Sequence, residues 1–253
     1  MPRFCANLSL LFTELPFLER FAAAKEAGFD WVEVLFPYDY PGQEMRSALI
    51  QHDLKMALIN TPPPNWAGGE RGYGAIPNRE KRFQYDFRRT LRYATLLKAR
   101  HIHIMAGRAK GAVARATFVR NLKWACAQAP KQSLTIEPIN QTDMPGYFLH
   151  DFDQAAEIID EVGAQNLSLQ FDAYHAHMII GDVPALWKRH GKLVGHIQIA
   201  GAPGRHEPIR GEIDYPAFFR TLDQAGYEGV VSAEYHPAGS TQDGLDWLQG
   251  GAG

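Results

Sequence analysis

Short apolar runs of strand character and longer stretches of helical periodicity alternate eight times along this chain, and that alternation permits few folds. Residues 4–8, 31–35, 54–59, 101–105, 133–136, 167–171, 194–199 and 230–233 read as strands. Residues 16–27, 43–52, 79–98, 115–128, 151–162, 183–190 and 215–225 read as helices, and 241–248 as the start of a last one. In the long third helix Phe83, Phe87, Leu91, Ala94 and Leu97 fall on one face. Asp151 suits an N-cap, and Gly28, Gly163 and Gly226 suit helix stops. Eight strand–helix units predict an α/β protein built as a single (β/α)8 TIM barrel over residues 1–248, with 249–253 a disordered tail. The rival is an open doubly wound sheet, but no Gly-x-Gly-x-x-Gly follows any strand.

A chain of 253 residues has the usual length for such a barrel and buries a sizeable core without disulfides. Its net charge of −2 gives no electrostatic reason to bind nucleic acid or an anionic membrane. No run of eighteen apolar residues occurs, so no membrane span is expected. Cys5 and Cys126 sit in apolar patterns at no metal-binding spacing and read as buried free thiols, which fits a reducing, cytoplasmic setting. The apolar start at 4–12 is broken by Asn7 and lacks a small-residue cleavage site, so it reads as the first strand and not as a signal peptide.

Polar residues end several of the apolar runs abruptly. Leu134-Thr-Ile-Glu-Pro delivers Glu137, and Val230-Val-Ser-Ala-Glu delivers Glu234, each with a proline at or soon after the carboxylate. Between them, strand six ends in Asp172 and strand seven carries Gln198. The four lie about one strand–helix unit apart, so a closed barrel gathers them at the C-terminal rim, where such barrels place function. Three carboxylates and an amide oxygen form a hard, oxygen-only set that suits one Mg²⁺ or Mn²⁺ better than zinc. His175, three residues after Asp172, either reaches the same ligand or begins a helix. His103 shares its parity with His101 and points into the barrel; Asn7, Glu33 and Asn60 also lie at or near strand ends. The Pro- and Gly-rich segment 61–78 is long for a connection and reads as a lid carrying Trp66, Glu70 and Arg71. In the loop 201–212, dense in Arg, His and Glu, Arg205 or Arg210 is suited to clamp a substrate carboxylate.

Together these motifs carry a resemblance over nearly the whole chain. Asn-x-Ser at 7–9, Phe36-Pro37, Gly69-Glu-Arg-Gly72, His103-Ile-Met-Ala-Gly107, Ile136-Glu-Pro-Ile-Asn140, Gln170-Phe-Asp-x-Tyr-His175 and the long His196-Ile-Gln-Ile-Ala-x-x-Pro-Gly-Arg-His-Glu-Pro208 resemble the hydroxypyruvate isomerase family of the xylose-isomerase-like barrels. The resemblance implies a divalent metal held by Glu137, Asp172, Gln198 and Glu234, with Glu137 and Glu234 moving the proton. It implies an aldose–ketose-type isomerisation of hydroxypyruvate to tartronate semialdehyde through a metal-stabilised enediolate, with His175, Arg205, His103, Glu70 and Arg71 around the substrate. Relatives of the same group isomerise four-carbon oxo-acids such as 2-dehydrotetronate or epimerise ketoses at C3, and both stand as alternatives. Dehydration of a similar acid is a nearer rival than a plain binding role. A phosphodiesterase of the endonuclease IV type ranks low, because Gln198 stands where a multi-zinc site needs histidine. The expected partner is a small hydroxy- or oxo-acid, with no nucleic acid or membrane; the resemblance also allows a homodimer.

Overall fold

The computed structural model describes residues 2–63, 65, 67–209 and 211–248. The apolar runs form β1 (Arg3–Asn7), β2 (Trp31–Val34), β3 (Lys55–Asn60), β4 (His101–His103), β5 (Ser133–Ile136), β6 (Leu167–Asp172), β7 (Val194–Ile199) and β8 (Val230–Ala233). All pair in parallel in chain order, and β8 returns to β1 from Arg3↔Val230 to Ala6↔Ala233, closing the barrel. The period of two in each strand sorts its side chains. Ala6, Val32, Ile102, Leu134, Ile136, Leu169, Phe171, Ile197, Ile199, Val231 and Ala233 join the main apolar core with Phe87, Phe118, Phe152 and Phe218 of the surrounding helices. Burying each large side chain of this set contributes about 1.5–3 kcal/mol. The alternate positions carry Asn7, Glu33, Thr135, Gln170, His196 and Gln198, which hydrogen-bond to one another inside the barrel. The upper lumen is therefore polar, unlike the Val/Ile/Leu layers that usually fill such barrels.

The helices are α1 (Glu19–Glu26), α2 (Gly42–Gln51), α3 (Glu80–Leu97), α4 (Gly111–Gln128), α5 (Phe152–Val162), α6 (Ala173–Ile180), α7 (Val183–His190) and α8 (Tyr215–Gln224). Asp151, Asp172, Asp182 and Asp214 cap α5 to α8, each accepting from a backbone N–H in the first turn. Such a cap is worth about 1 kcal/mol. Helix α6 is absent from the sequence reading. Its Ala-Tyr-His-Ala-His-Met-Ile-Ile run has no polar face to mark a period, because its first half is buried on the rim. The expected last helix at 241–248 is instead two 3-10 turns, Gln242–Gly244 and Asp246–Leu248. Thr241 is held there by Glu14 and by the Phe12 N–H, and Gly244 is a poor helix former. Strand β4 stops at His103, short of the expected Met105: the Ile104 N–H still donates to the Thr135 carbonyl of β5, but the following N–H groups turn to side chains, Met105 donating to Thr61 Oγ1 and Ala106 to Tyr147 Oη. Cys5 and Cys126 are buried free thiols, as expected. Among the described residues no helix is long and apolar enough to cross a membrane. The expected tail at 249–253 lies outside the described residues.

The segment after β3 is tied to the exit of β4. Gly74 donates to the Met105 carbonyl at 3.1 Å and Ala75 to Ala106 at 2.7 Å. Gly72 has φ +99°, and a Cβ there would stand 2.5 Å from the Met105 carbonyl oxygen. The Gly-Glu-Arg-Gly motif thus ends in glycine because two backbones touch. Gly72→Ala is expected to cost about 2 kcal/mol or more in thermal unfolding, whereas Gly239→Ala, with open space around it, leaves the melting temperature unchanged.

Candidate active site

Glu137 and Glu234 each stand one residue beyond the end of their strand, β5 and β8, while Asp172 ends β6 and faces Gln198 of β7 in register. All four are buried. Glu137 and Glu234 line a cavity of about 630 Å³ together with His175, His103, Arg205, Arg71 and Asn60, whereas Asp172 and Gln198 are not among its lining residues. Asp172 lies beside it, within 4.8 Å of ligand atoms of Glu137 and His175.

Among the described residues Arg205 is the cation that contacts this cluster, touching two of its three carboxylates. Arg205 Nη2 donates to Glu234 Oε2 at 2.8 Å and to Asp172 Oδ2 at 3.2 Å, with the guanidinium 5.0 Å from the Tyr174 ring. The backbone supports this reach: Gly204 and Arg205 lie at φ +96° and +55°. A non-glycine residue there stores strain, as functional sites often do. The loop is pinned to the exit of β8, the Arg205 carbonyl accepting from His236 N–H at 2.9 Å and Glu207 Oε1 from Ala238 N–H at 3.0 Å. Arg205 therefore grips the carboxylates as well as lining the cavity. Burial works against its charge, but Glu234, Asp172 and Glu137 outweigh that and hold it protonated.

One arginine is too little for this much negative charge. Burial pushes the Glu137 carboxyl well above its usual range, and Glu234 and Asp172 add to the effect. Burial also raises Glu234, to about 8, against the opposing pull of Arg205. Asp172 is raised by burial too, moderated by Arg205 and by the N–H groups of Tyr174 and His175. A site of this kind is relieved either by protonating its carboxyls or by a further cation. Ligand atoms of Glu137, Asp172 and His175 lie within 4.8 Å of one another, close enough to share one ion. The histidine is the odd member. Asn140 Oδ1 accepts from the Asp143 N–H, so its amide Nδ2 faces His175 Nδ1 at 2.7 Å. That leaves the His175 proton on Nε2, 3.6 Å from Asp172 Oδ2, as a donor aimed into the site. The carboxylates thus fit a hard divalent ion, and His175 fits a substrate oxygen.

Gln198 is held from both sides. Its Nε2 donates to Glu33 Oε1 at 2.8 Å, and its Oε1 accepts from Gln170 Nε2 at 2.6 Å, which in turn leaves Gln170 Oε1 to accept from Thr135. Glu33 also accepts from Asn7 and His196, each at 2.8 Å. This acceptor-only carboxylate fixes which way each amide in the chain points. Gln170 and His196 were not singled out from the sequence, although each lies two residues before a rim residue on the same strand and so shares its face.

His103 lies 3.6 Å from Glu137 Oε2; its two ring nitrogens have no hydrogen-bond partner, and burial lowers its pKa to about 3, so it is neutral. Arg71 lines the cavity. Glu70 turns away to accept from the Tyr73 hydroxyl at 2.6 Å and is not among the lining residues. Trp66 and Arg210 lie outside the described residues.

This arrangement defines a class: a closed parallel barrel with an acidic, buried site at its C-terminal rim. The xylose isomerase-like TIM barrel family model matches residues 21–250. The chain is 48% identical to the 2-oxo-tetronate isomerase of Cupriavidus necator, covering 98% of both chains. It is 40% identical to the hydroxypyruvate isomerase of Escherichia coli, again over 98% of both. A solved structure described as an AP endonuclease, family 2, from Brucella melitensis superposes with a TM-score of 0.96 at 42% identity, over 98% of each chain. A 3-keto-D-glucoside 4-epimerase from E. coli, at 20% identity and a TM-score of 0.81, shares the fold. The chain belongs to the hydroxypyruvate isomerase family of the xylose isomerase-like TIM barrels.

The raised carboxyls make a signed prediction. An unfolded glutamate releases its proton near 4.5, while folded Glu234 keeps its own up to about 8. The buried His103 titrates below its ordinary 6.5 and adds nothing above that pH. Between about pH 6.5 and 8 the folded, metal-free protein thus binds more protons than the unfolded chain, and its stability falls as pH rises. In chelator the melting temperature is expected to be lower at pH 8 than at pH 6.5, and Mg²⁺ to remove most of the difference; a flat or rising profile in chelator contradicts the site's electrostatics.

Proposed function

We propose that the protein is an aldose–ketose-type isomerase of short 2-oxo-3-hydroxy acids, shifting the carbonyl between C2 and C3. Hydroxypyruvate, giving tartronate semialdehyde, is the three-carbon substrate of this class, and 2-oxo-tetronate (2-dehydrotetronate) the four-carbon one. The observation that carries the reading is the pair Glu137 and Glu234, both buried and both lining one cavity, with the charge of Glu234 helping to raise the Glu137 carboxyl. Moving a carbonyl by one carbon needs a base at one carbon and an acid at its neighbour, and two such carboxyls supply both.

The four rim oxygens of Glu137, Asp172, Gln198 and Glu234 are the proposed holders of one Mg²⁺ or Mn²⁺. When bound, the ion supplies charge stabilisation for the oxygens of the enediolate and brings the carboxylates into their ionised form. One glutamate then takes the proton from carbon and the other returns it to the adjacent carbon. His175 donates Nε2–H to a substrate oxygen. Arg205 holds Glu234 and Asp172 in place and offers its remaining charge to the substrate carboxylate. The names of the relatives from C. necator and E. coli support this substrate class. Phosphodiester hydrolysis at a multinuclear centre needs more ligands, and among the described residues one group of three acidic or histidine side chains can gather around an ion.

The test is turnover of hydroxypyruvate and of 2-oxo-tetronate by chelator-stripped protein with and without Mg²⁺ or Mn²⁺. Turnover is expected only with metal. Glu137→Gln and Glu234→Gln are each expected to lower kcat by about 10²–10⁴-fold. Undiminished turnover by either variant would remove that glutamate from the proton path, and no turnover of either acid by the loaded wild type would overturn the reading.

A further inference from the structure

The cavity wall away from Asp172 and Glu234 carries polar atoms that have no hydrogen-bond partner among the described residues. Asn60, at the end of β3, is buried, and its side-chain Oδ1 has no hydrogen-bond partner. Both of its backbone groups are spent, the N–H on Leu35 and the carbonyl on the Tyr38 hydroxyl, so the side chain alone is left to bind. Its neighbour in register is His103, buried, neutral and unpartnered at both ring nitrogens. His103 in turn lies 3.6 Å from Glu137 Oε2. Glu137, His103 and Asn60 therefore form a continuous polar track leading from the proposed reacting carbons across the barrel mouth, and all three line the cavity.

We infer that Asn60, with His103 beside it, recognises a substrate hydroxyl one carbon beyond the reacting pair, and so selects a four-carbon acid over a three-carbon one. This inference rests on the isomerase reading above. The argument is one of donors and acceptors. The unpaired amide oxygen needs a donor; a hydroxyl supplies one and an ionised carboxylate supplies none, so Asn60 Oδ1 favours a hydroxyl over the acid end of the substrate. A hydroxyl satisfies it, and can accept from the N–H of a neutral His103 at the same time. Hydroxypyruvate has a single hydroxyl, on C3, which belongs to the reacting pair. A four-carbon 2-oxo acid adds a hydroxyl on C4, directed away from the carboxylate. Without that hydroxyl the buried Oδ1 stays unpaired, which is how sites built around a hydroxyl reject analogues lacking it.

The experiment compares kcat/KM for 2-oxo-tetronate and hydroxypyruvate in the metal-loaded wild type and in Asn60→Leu, with circular dichroism to check folding. Wild type is expected to prefer the four-carbon acid, and Asn60→Leu to cut that preference by about 10–100-fold. Should Asn60→Leu not fold, Asn60→Ala reads the same ratio. Calorimetric titration of the wild type with erythronate, threonate and glycerate gives a second readout free of turnover: at least one of the two four-carbon acids is expected to bind more tightly than glycerate. An unchanged ratio in the variant, or equal loss on both substrates, overturns the role of Asn60 while leaving the isomerase standing. Failure of the wild type on both acids removes the isomerase reading and this inference together.

Discussion

Three buried carboxylates facing one arginine set the terms for the rest of this structure. Glu137, Asp172 and Glu234 are all held above their ordinary pKa range by burial, and Arg205 alone does not bring them down. A chain that only needed to fold would place apolar side chains there, because a buried charge cluster is a poor source of stability. The cluster instead leaves the rim with carboxyls that hold their protons unless a further positive charge is supplied. The surrounding features serve that arrangement: the strained backbone at Arg205, the loop pinned to β8, and the Asp172 carboxylate that also caps α6.

Beneath the rim lies a second polar layer whose job is alignment. Glu33 receives hydrogen bonds from Asn7, His196 and Gln198, joining β1, β2 and β7 across the lumen. Gln170 and Thr135 extend the chain to β6 and β5. Asn7, His196 and Gln198 donate to Glu33 itself, while Thr135 donates to Gln170 and Gln170 to Gln198, so the Gln198 amide has a defined orientation before any ligand arrives. Rigidity of this kind keeps proton-transfer groups in register with reacting carbons.

The barrel was legible in the sequence because its outward faces are apolar at every second position and its helices begin and end on recognisable residues such as Asp151 and Gly163. The carboxylates at the rim were legible for the same reason, since Glu137 and Glu234 end apolar runs. What escaped was whatever has no local period. Helix α6 is apolar nearly throughout and sits on the rim, so no polar face announces it. The last turns at 242–248 answer to tertiary contacts with Glu14 and Phe12. Gln170 and His196 were hidden in plain alternation, since a polar residue inside a strand reads equally as solvent-facing until the closed barrel shows that its alternate face is the lumen. Arg205 was foreseen as a clamp on substrate, but its grip on Glu234 and Asp172 is a matter of three dimensions.

The central claim is that Glu137 and Glu234 move a proton between neighbouring carbons of a short oxo-acid. Its most direct test is NMR of the product formed by the metal-loaded protein from 2-oxo-tetronate in D₂O. The account predicts solvent deuterium at the carbon that receives the proton, because the glutamate that delivers it is not the one that removed the substrate's own and takes its deuteron from water. Complete retention of the substrate's own hydrogen in Glu137→Gln and Glu234→Gln as well as in wild type, at undiminished rate, would mean that the hydrogen moves directly between the carbons and that neither glutamate carries it.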